Sequence, residues 1–222
     1  MSPTMNTGVV RLLTPEDPRG RKWNAFVESI DVADIAHCFG WAKVLSGSLG
    51  TQPVYITTES EGGICGVVPI HIVHTITGKK AAISVPFLNG GGILARDEAT
   101  MRYLVNEVYK TAKEHGCAYA ELRHLLPVAH EGLVTSTHKV STWLPLERDE
   151  DLQWKELHTN VRNKIRKAEK NGVVVKTGKE HLSGFYSAYA RNMRDLGTPV
   201  LPRTFFETVA SVFVEQCEVL VA

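Results

Sequence analysis

The sequence predicts an α+β protein with one complete domain and the opening of a second. Three strand-like runs stand between amphipathic helical stretches in the first 146 residues, and the order β-α-α-β that opens the chain returns after residue 172. Charge marks the same division. The 222 residues hold 25 Lys and Arg against 24 Asp and Glu, yet Asn160 to Arg203 carries ten basic and three acidic residues, leaving the rest of the chain acidic.

The elements follow in order. GVVRLL (8–13) reads as a short strand, and PEDPRGRKWNAFVESI places Trp23, Phe26, Val27 and Ile30 at helical spacing. FGWAKVLSGSLG reads as a second helix ending at Gly50. QPVYITTE, the turn EGGI, CGVVPIHIVHT and KKAAISVP read as three antiparallel strands. DEATMRYLVNEVYKTAKEHG is a long helix closed by Gly116, followed by strands in AYAELRH and VSTWLPL. An acidic helix start, ERDEDLQWKELH, precedes a basic helix. Then VVVKT (strand), HLSGFYSAYARNMRDLG (helix), PRTFFETVASVFVEQ (helix) and CEVLVA (strand) repeat the opening order. The expected boundaries are 1–147 for the first domain, 148–171 for a helical connection and 172–222 for the start of the second. A half-built sheet exposes an apolar face and an unpaired edge, so the chain reads as a fragment of a two-domain protein lacking about a hundred residues.

Composition removes several classes. A hydrophobic share of 43% excludes bulk disorder, and the near-neutral total excludes a generally basic nucleic-acid coat. Cys38, Cys65, Cys117 and Cys217 form no CxxC pair and MSPTMNTGVV has no apolar leader core, which reads as free thiols in a reducing cytoplasm. No run approaches the roughly 20 apolar residues of a membrane span.

The densest signal is NVRNKIRKAEKNG, with five Lys or Arg between Arg162 and Lys170. At about 100° per residue Val161, Ile165 and Ala168 share a stripe, while Arg162, Asn163, Arg166, Lys167 and Lys170 lie opposite. Three readings stand: a solvated helix face, adsorption to a membrane, for which the apolar stripe is small, and a grip on phosphate by rows of Arg and Lys. In helix 182–196 Leu182, Phe185, Tyr186, Tyr189, Met193 and Leu196 form an apolar stripe that leaves Arg191 and Arg194 outside. Gly197, Pro199 and Pro202 then stiffen a loop that is either the lining of a binding cleft or a helix connection.

Other constellations are weaker. His71 and His74 in HIVH fall on opposite faces of a strand, so no metal site is expected. SVPFLNGGGIL lacks the GK[ST] of a P-loop and the GxGxxG of a dinucleotide site; it reads as a tight turn, or as a nest of backbone N–H groups beside a substrate. Spacing alone identifies no Ser/His/Asp or Cys/His set.

At VRNKIRKAEKNGV and YARNMRDLGTPVLPRTFFE, and across FGWAKVL, VPFLNGGGIL and AELRH, the chain resembles the FemAB family, in particular its branch associated with PEP-CTERM/exosortase and exopolysaccharide systems. The resemblance implies two tandem GNAT-like domains, the second incomplete here. It also implies transfer of an aminoacyl or acyl group to an amine of a peptidoglycan or other cell-envelope precursor, and relatives are labelled BioF2-like or GNAT acyltransferases. The implied donor is aminoacyl-tRNA or acyl-CoA with no tightly bound cofactor; implied partners are a phosphate-bearing small-molecule or lipid-linked acceptor, and tRNA. It places Arg162, Asn163, Arg166 and Lys167 near an anionic substrate, and Arg191, Arg194 and Gly197 match the branch's RNMRDLG signature. Relatives carry a phosphate-contacting lysine a few residues after a first-domain Trp; here Lys43 follows Trp41 by two positions, closer than that pattern. The glycine-rich loop lacks the [RQ]xxGx[GA] motif, so ordinary CoA binding by the first domain is not expected. Catalytic groups are expected beyond Ala222, and the fragment is expected to be inactive by itself. The rival expectation is a non-catalytic module that binds RNA or another polyanion through the basic helix.

Overall fold

In the computed structural model, which describes residues 8–12, 14–126, 128, 130–136 and 140–222, two long strands form the centre of the main sheet. β2 (Gln52–Ser60) and β3 (Gly63–His74) pair antiparallel across a two-residue turn. β1 (Gly8–Leu12) adds to β2, β4 (Lys80–Ser84) adds to β3, and β6 (Cys117–Glu121) lies parallel to β4, giving the order β1-β2-β3-β4-β6. β5 (Leu94–Ala95) pairs with Gly66 and Val67 on the β3 edge that β4 also uses. The chain between β4 and β5 therefore leaves the sheet where that edge changes partner.

Helices cover both faces, which explains why CGVVPIHIVH is apolar without alternation. α1 (Gly20–Glu28) and α2 (Trp41–Leu49) pack Trp23, Phe26, Val27 and Ala42 with Phe39 against Tyr55, Val67 and Leu94. α3 (Glu98–Glu114) sets Leu104, Val105 and Val108 against Val54, Ile56, Val68 and Ile70 on the other side. Val54 and Ile56 face α3 while Tyr55 faces α1, the two-residue period of a strand. The Asp97 side chain caps α3 by accepting the Thr100 N–H at 2.7 Å, and Gly50, at φ 64°, ends α2.

Two compact units divide the chain: Met1–Ser136 with Pro202–Phe213, and Thr137–Leu201 with Val214–Ala222. The first therefore contains α7 (Arg203–Val212), whose Phe205 lies 6.3 Å from the Trp41 ring; Phe213, just past its end, lies 4.9 Å from the same ring. The second holds α4 (Glu150–Glu156), α5 (Thr159–Lys170), β7 (Lys176–Thr177), α6 (Leu182–Asp195) and β8 (Leu220–Val221). β7 pairs antiparallel with β8 as β1 does with β2, so the order β-α-α-β recurs. No helix among the described residues is long and apolar enough to cross a membrane.

Four sequence expectations are corrected. VSTWLPL is not a strand: Val140, Trp143, Leu144 and Leu146 are exposed, and no described residue gives the segment a ladder partner. Only two residues of VVVKT and two of CEVLVA pair, and Val173, Val174 and Val175 are exposed. Leu196 is exposed rather than part of the α6 stripe, because the helix has ended at Asp195. β5, two residues long, had no period to reveal it. Leu13, the end of GVVRLL, lies outside the described residues.

His71 is buried and His74 exposed, as opposite strand faces require. Thr51 Oγ1 lies 2.8 Å from His71 Nδ1 and the Tyr55 hydroxyl 3.2 Å from Nε2. Burial lowers the His71 pKa to about 3. The unfolded chain, with an ordinary His near 6.5, binds that proton first, so stability falls as pH drops from 6.5 towards 3, by roughly 5 kcal/mol over the interval at about 1.36 kcal/mol per unit. Urea midpoints at pH 7 and pH 4.5 should separate less in His71→Gln than in wild type; equal separations would contradict this role for His71.

Candidate functional site

The loop from Val85 to Ile93 bulges from the opening beside β4. Val85 and Phe87 hold positive φ of 41° and 72°, a conformation costly for any residue with a Cβ and most of all for β-branched valine. The surrounding groups hold it there. Arg123, just past β6, donates its N–H to Ser84 Oγ at 2.8 Å, Nη1 to the Leu88 carbonyl at 2.8 Å and Nε to Glu121 at 2.7 Å. The three glycines are the places where the loop touches its supports: a Cβ on Gly90 would run into the Asp34 carboxyl, and one on Gly92 into the His124 ring. At Gly91, with φ 93°, a Cβ would lie 2.6 Å from Val85 Cγ2. Gly91→Ala is expected to cost about 1–3 kcal/mol from backbone strain alone. Gly47→Ala, in the interior of α2 with no neighbour near its Cβ, should gain about 0.5–1 kcal/mol; chemical denaturation of both variants checks the pair.

Behind the loop lies a cavity of about 210 Å³. Ile30, Ile93, Met101 and Leu125 line it beside His37 and His124. His37 closes a single 3₁₀ turn, Ile35–His37, and two indoles pin that turn: Trp23 Nε1 donates to the His37 carbonyl at 2.7 Å and Trp41 Nε1 to the Ile35 carbonyl at 2.8 Å. Asp34 caps the turn by accepting the Ala36 N–H at 2.8 Å, and its own N–H donates to His37 Nδ1 at 3.1 Å. Burial works to raise the Asp34 pKa, but the His37 imidazole and the Ala36 and His37 N–H groups outweigh it and hold the carboxyl below its usual range. Burial first, and then the nearby His37, lower the His124 pKa to about 4, and its Nε2 accepts the Ile93 N–H at 3.0 Å. Cys38 is kept as a thiol by burial and by Glu28 and Asp34, so it does not supply a thiolate nucleophile. Among the described residues no group of three or more His, Cys, Asp or Glu side chains could hold a metal ion.

The sequence-selected residues distribute between the two units. Trp41, in the first, is 6% exposed and its indole is spent on Ile35; Lys43, two residues on, is exposed. Arg162, Asn163, Arg166 and Lys167 lie together on α5. Arg166 rests over the Trp154 ring at 5.3 Å, a cation-π contact that holds the guanidinium in place. Arg162 is half-buried rather than wholly outward: it donates to Thr159 Oγ1 at 3.3 Å while its Nε is enclosed without a partner among the described residues. None of Arg162, Lys164, Arg166, Lys167 and Lys170 forms an ion pair with a described carboxylate. On α6, Arg194 is paired with Asp195 at 2.8 Å, whereas Arg191 borders a surface hollow with Ser187 and Asn192. Gly197 takes φ 65°, and the following loop is tied down by Tyr186 OH donating to the Leu201 carbonyl and the Leu201 N–H donating to Tyr189 OH.

Sequence reasoning missed Asp34, His37 and His124. The available signals were the spacing of DIAH, an acid three residues before a His at a turn, and the His closing AELRH. Neither shows that the glycine-rich loop brings the two imidazoles to one cavity.

Neither a family model nor a curated protein matches the chain by sequence. Among solved structures FemX superposes with a TM-score of 0.65 over 96% of this chain and 57% of FemX, at 16% identity. A ribosomal-protein-alanine N-acetyltransferase from Brucella melitensis biovar Abortus 2308 gives 0.41 at 13% identity over 63% of this chain and 99% of its own. A GNAT family acetyltransferase from Staphylococcus aureus subsp. aureus USA300_TCH1516 gives 0.41 at 13% identity, covering 63% and 100%. The chain thus has the fold of FemX along nearly all its length and spans 57% of the length of FemX.

Proposed function

We propose that the protein is an N-acyl or aminoacyl transferase of the FemAB type, acting on an amine of a cell-envelope precursor or exopolysaccharide-related substrate. The observation that supports this most is the FemX-like fold. The α5 cations add to it: Arg162 and Arg166 are ordered by Thr159 and Trp154 without being neutralised by a carboxylate, a state suited to receiving phosphate. In this reading Arg162 and Arg166 grip the phosphates of the acceptor, with Asn163, Lys167 and Arg191 at the margin; Lys43, in the first unit, is proposed separately as a phosphate contact. Trp41 acts through the turn it holds, and Arg194 is shared with Asp195. The acceptor amine attacks the carbonyl carbon of an aminoacyl-tRNA ester or an acyl-CoA thioester; the C–N bond forms as the C–O or C–S bond breaks, and the proton lost by the amine balances the tRNA hydroxyl or CoA thiol that is released. Holding the reactants in line and stabilising the developing oxyanion are what the protein must supply.

The same free cations suit a module that binds RNA without catalysis. Against a base-stacking role, the Trp154 ring beside α5 is already covered by Arg166. Competition separates the two. The transferase reading expects a nucleotide-linked sugar peptide to displace labelled RNA from the intact protein at moderate salt; RNA held with full affinity against saturating nucleotide-linked sugar peptide would favour the binding module.

A further inference from the structure

At one end of the main sheet the chain turns from β3 into β4 through residues 75–79. Three hydrogen bonds order the turn. The Thr75 N–H donates to the Lys79 carbonyl at 2.7 Å, the Thr75 hydroxyl donates to the same carbonyl at 2.9 Å, and the Gly78 N–H donates to the Thr75 carbonyl at 2.9 Å. Gly78 supplies the positive φ, 79°, that closes it. At the tip Ile76 is fully exposed. Turn positions are ordinarily filled by Gly, Asn, Asp, Pro or Ser, and a β-branched apolar side chain in open water gains nothing from packing. None of the three bonds that order the turn uses Ile76, so the fold of the hairpin does not account for it.

The charge around the tip has one sign. Lys79 and Lys80 lie three and four residues after Ile76, and the strand register adds a third lysine: Lys80 pairs with Cys117 at the start of β6, and Lys113 stands in the last turn of α3 just before it. All three lysines are exposed, and none is ion-paired with a described carboxylate. The acid beside Lys113, Glu114, is taken by Arg11 at 2.8 Å. The strands supply no counter-charge either: residues 35–58 and 62–96, which include most of β2 and all of β3 and β4, contain no Asp or Glu.

We propose that the β3–β4 hairpin tip is a docking point for an anionic lipid bilayer, with Ile76 entering the boundary between headgroups and acyl chains and Lys79, Lys80 and Lys113 lying against the phosphates. An apolar tip in a collar of lysines matches that surface twice over. The lysine stems can follow Ile76 towards the apolar region while their ammonium groups stay among the headgroups. Each lysine near an anionic surface raises partitioning about fivefold. A bare polyanion such as RNA offers charge to the lysines and nothing to Ile76, which favours the bilayer over nucleic acid. One apolar residue and three cations make the attachment reversible and salt-sensitive. It is independent of the proposed transfer and of the cations on α5.

The test is flotation of the intact protein at low salt with vesicles of phosphatidylcholine and phosphatidylglycerol in equal parts, beside vesicles of phosphatidylcholine alone. Partitioning is expected into the anionic vesicles only, weakened at least about tenfold in Lys79→Glu/Lys80→Glu and about threefold in Ile76→Ser. Free glycerol phosphate, at the phosphate concentration of the vesicles, should not release the protein. The Arg162→Ala/Arg166→Ala variant should float like wild type, which separates the hairpin from α5. Ile76→Ser keeps the charges and the backbone bonds of the turn, so it decides the matter even where the lysine variant misfolds. Wild-type protein that ignores the anionic vesicles, hairpin variants that float as wild type does, release by glycerol phosphate, or loss confined to the α5 variant each overturns the proposal. RNA retained through Lys79 and Lys80 by a protein that ignores the vesicles overturns it in favour of a nucleic-acid contact.

Discussion

Trp23→Ala is expected to destabilise the first unit by about 3–5 kcal/mol, enough to leave a domain of ordinary stability close to unfolded. The side chain is completely buried, with its ring centroid 4.9 Å from Tyr55 and 6.1 Å from Phe39. Its removal leaves a void that neighbours fixed on a sheet cannot close. The indole N–H is also the bond that holds the His37 carbonyl, at 2.7 Å. Truncation therefore strikes the packing and the turn beneath the cavity together. Trp23→Phe separates the two contributions: it retains most of the apolar contact and leaves the buried carbonyl unpaired, at a cost of about 1–3 kcal/mol. Denaturant midpoints give the energies, and the His37 ring resonances report whether the turn has moved. A Trp23→Ala protein within about 1 kcal/mol of wild type would contradict the assigned core.

The Arg162→Ala/Arg166→Ala double variant is expected to bind a nucleotide-linked sugar peptide at least about 100-fold more weakly. Hydrogen bonds to charged partners are worth about 1.5–3 kcal/mol each, and two are lost. Stability should change far less, because neither side chain has an ion pair to break: half-buried Arg162 loses its hydrogen bond to Thr159 and Arg166 its contact with Trp154. Lysine at both positions should retain part of the affinity, since charge survives while the bidentate fork does not. Calorimetric titration read beside a thermal melt distinguishes a lost contact from a lost fold. Unchanged affinity in a folded double variant removes α5 from the account.

The fold was legible wherever a period could be sustained. Leu104, Val105 and Val108 repeat at helical spacing, the β2 and β3 runs are β-branched between turn residues, and Gly50, Gly116 and Gly197 stand at left-handed positions where the sequence places stops. It failed where an element is defined by its partner rather than by its own pattern. VSTWLPL has the composition of a strand and no described neighbour to pair with, while β5 is a strand only because β3 lies beside it. The site divides the same way. A cluster of cations within one helix is visible as a run of letters, and α5 carries it. The pairing of His37 with His124 arises because loop 85–93 folds back between the turn after α1 and the end of β6, a tertiary event with no local signature. The half-burial of Arg162 is of the same kind: helical phase places it outside, and the α5 surroundings enclose its Nε.

Acyl transfer to an amine is measured most directly by mass. The intact protein would be incubated with a nucleotide-linked sugar peptide bearing a free amine and, in parallel, with labelled aminoacyl-tRNA and acyl-CoA pools, and the acceptor analysed for a new amide. The acceptor is expected to gain one acyl or aminoacyl residue, in a reaction that the Arg162→Ala/Arg166→Ala variant slows through weakened acceptor binding. An acceptor recovered unmodified from every donor, while the same protein retains RNA against saturating acceptor, would contradict it.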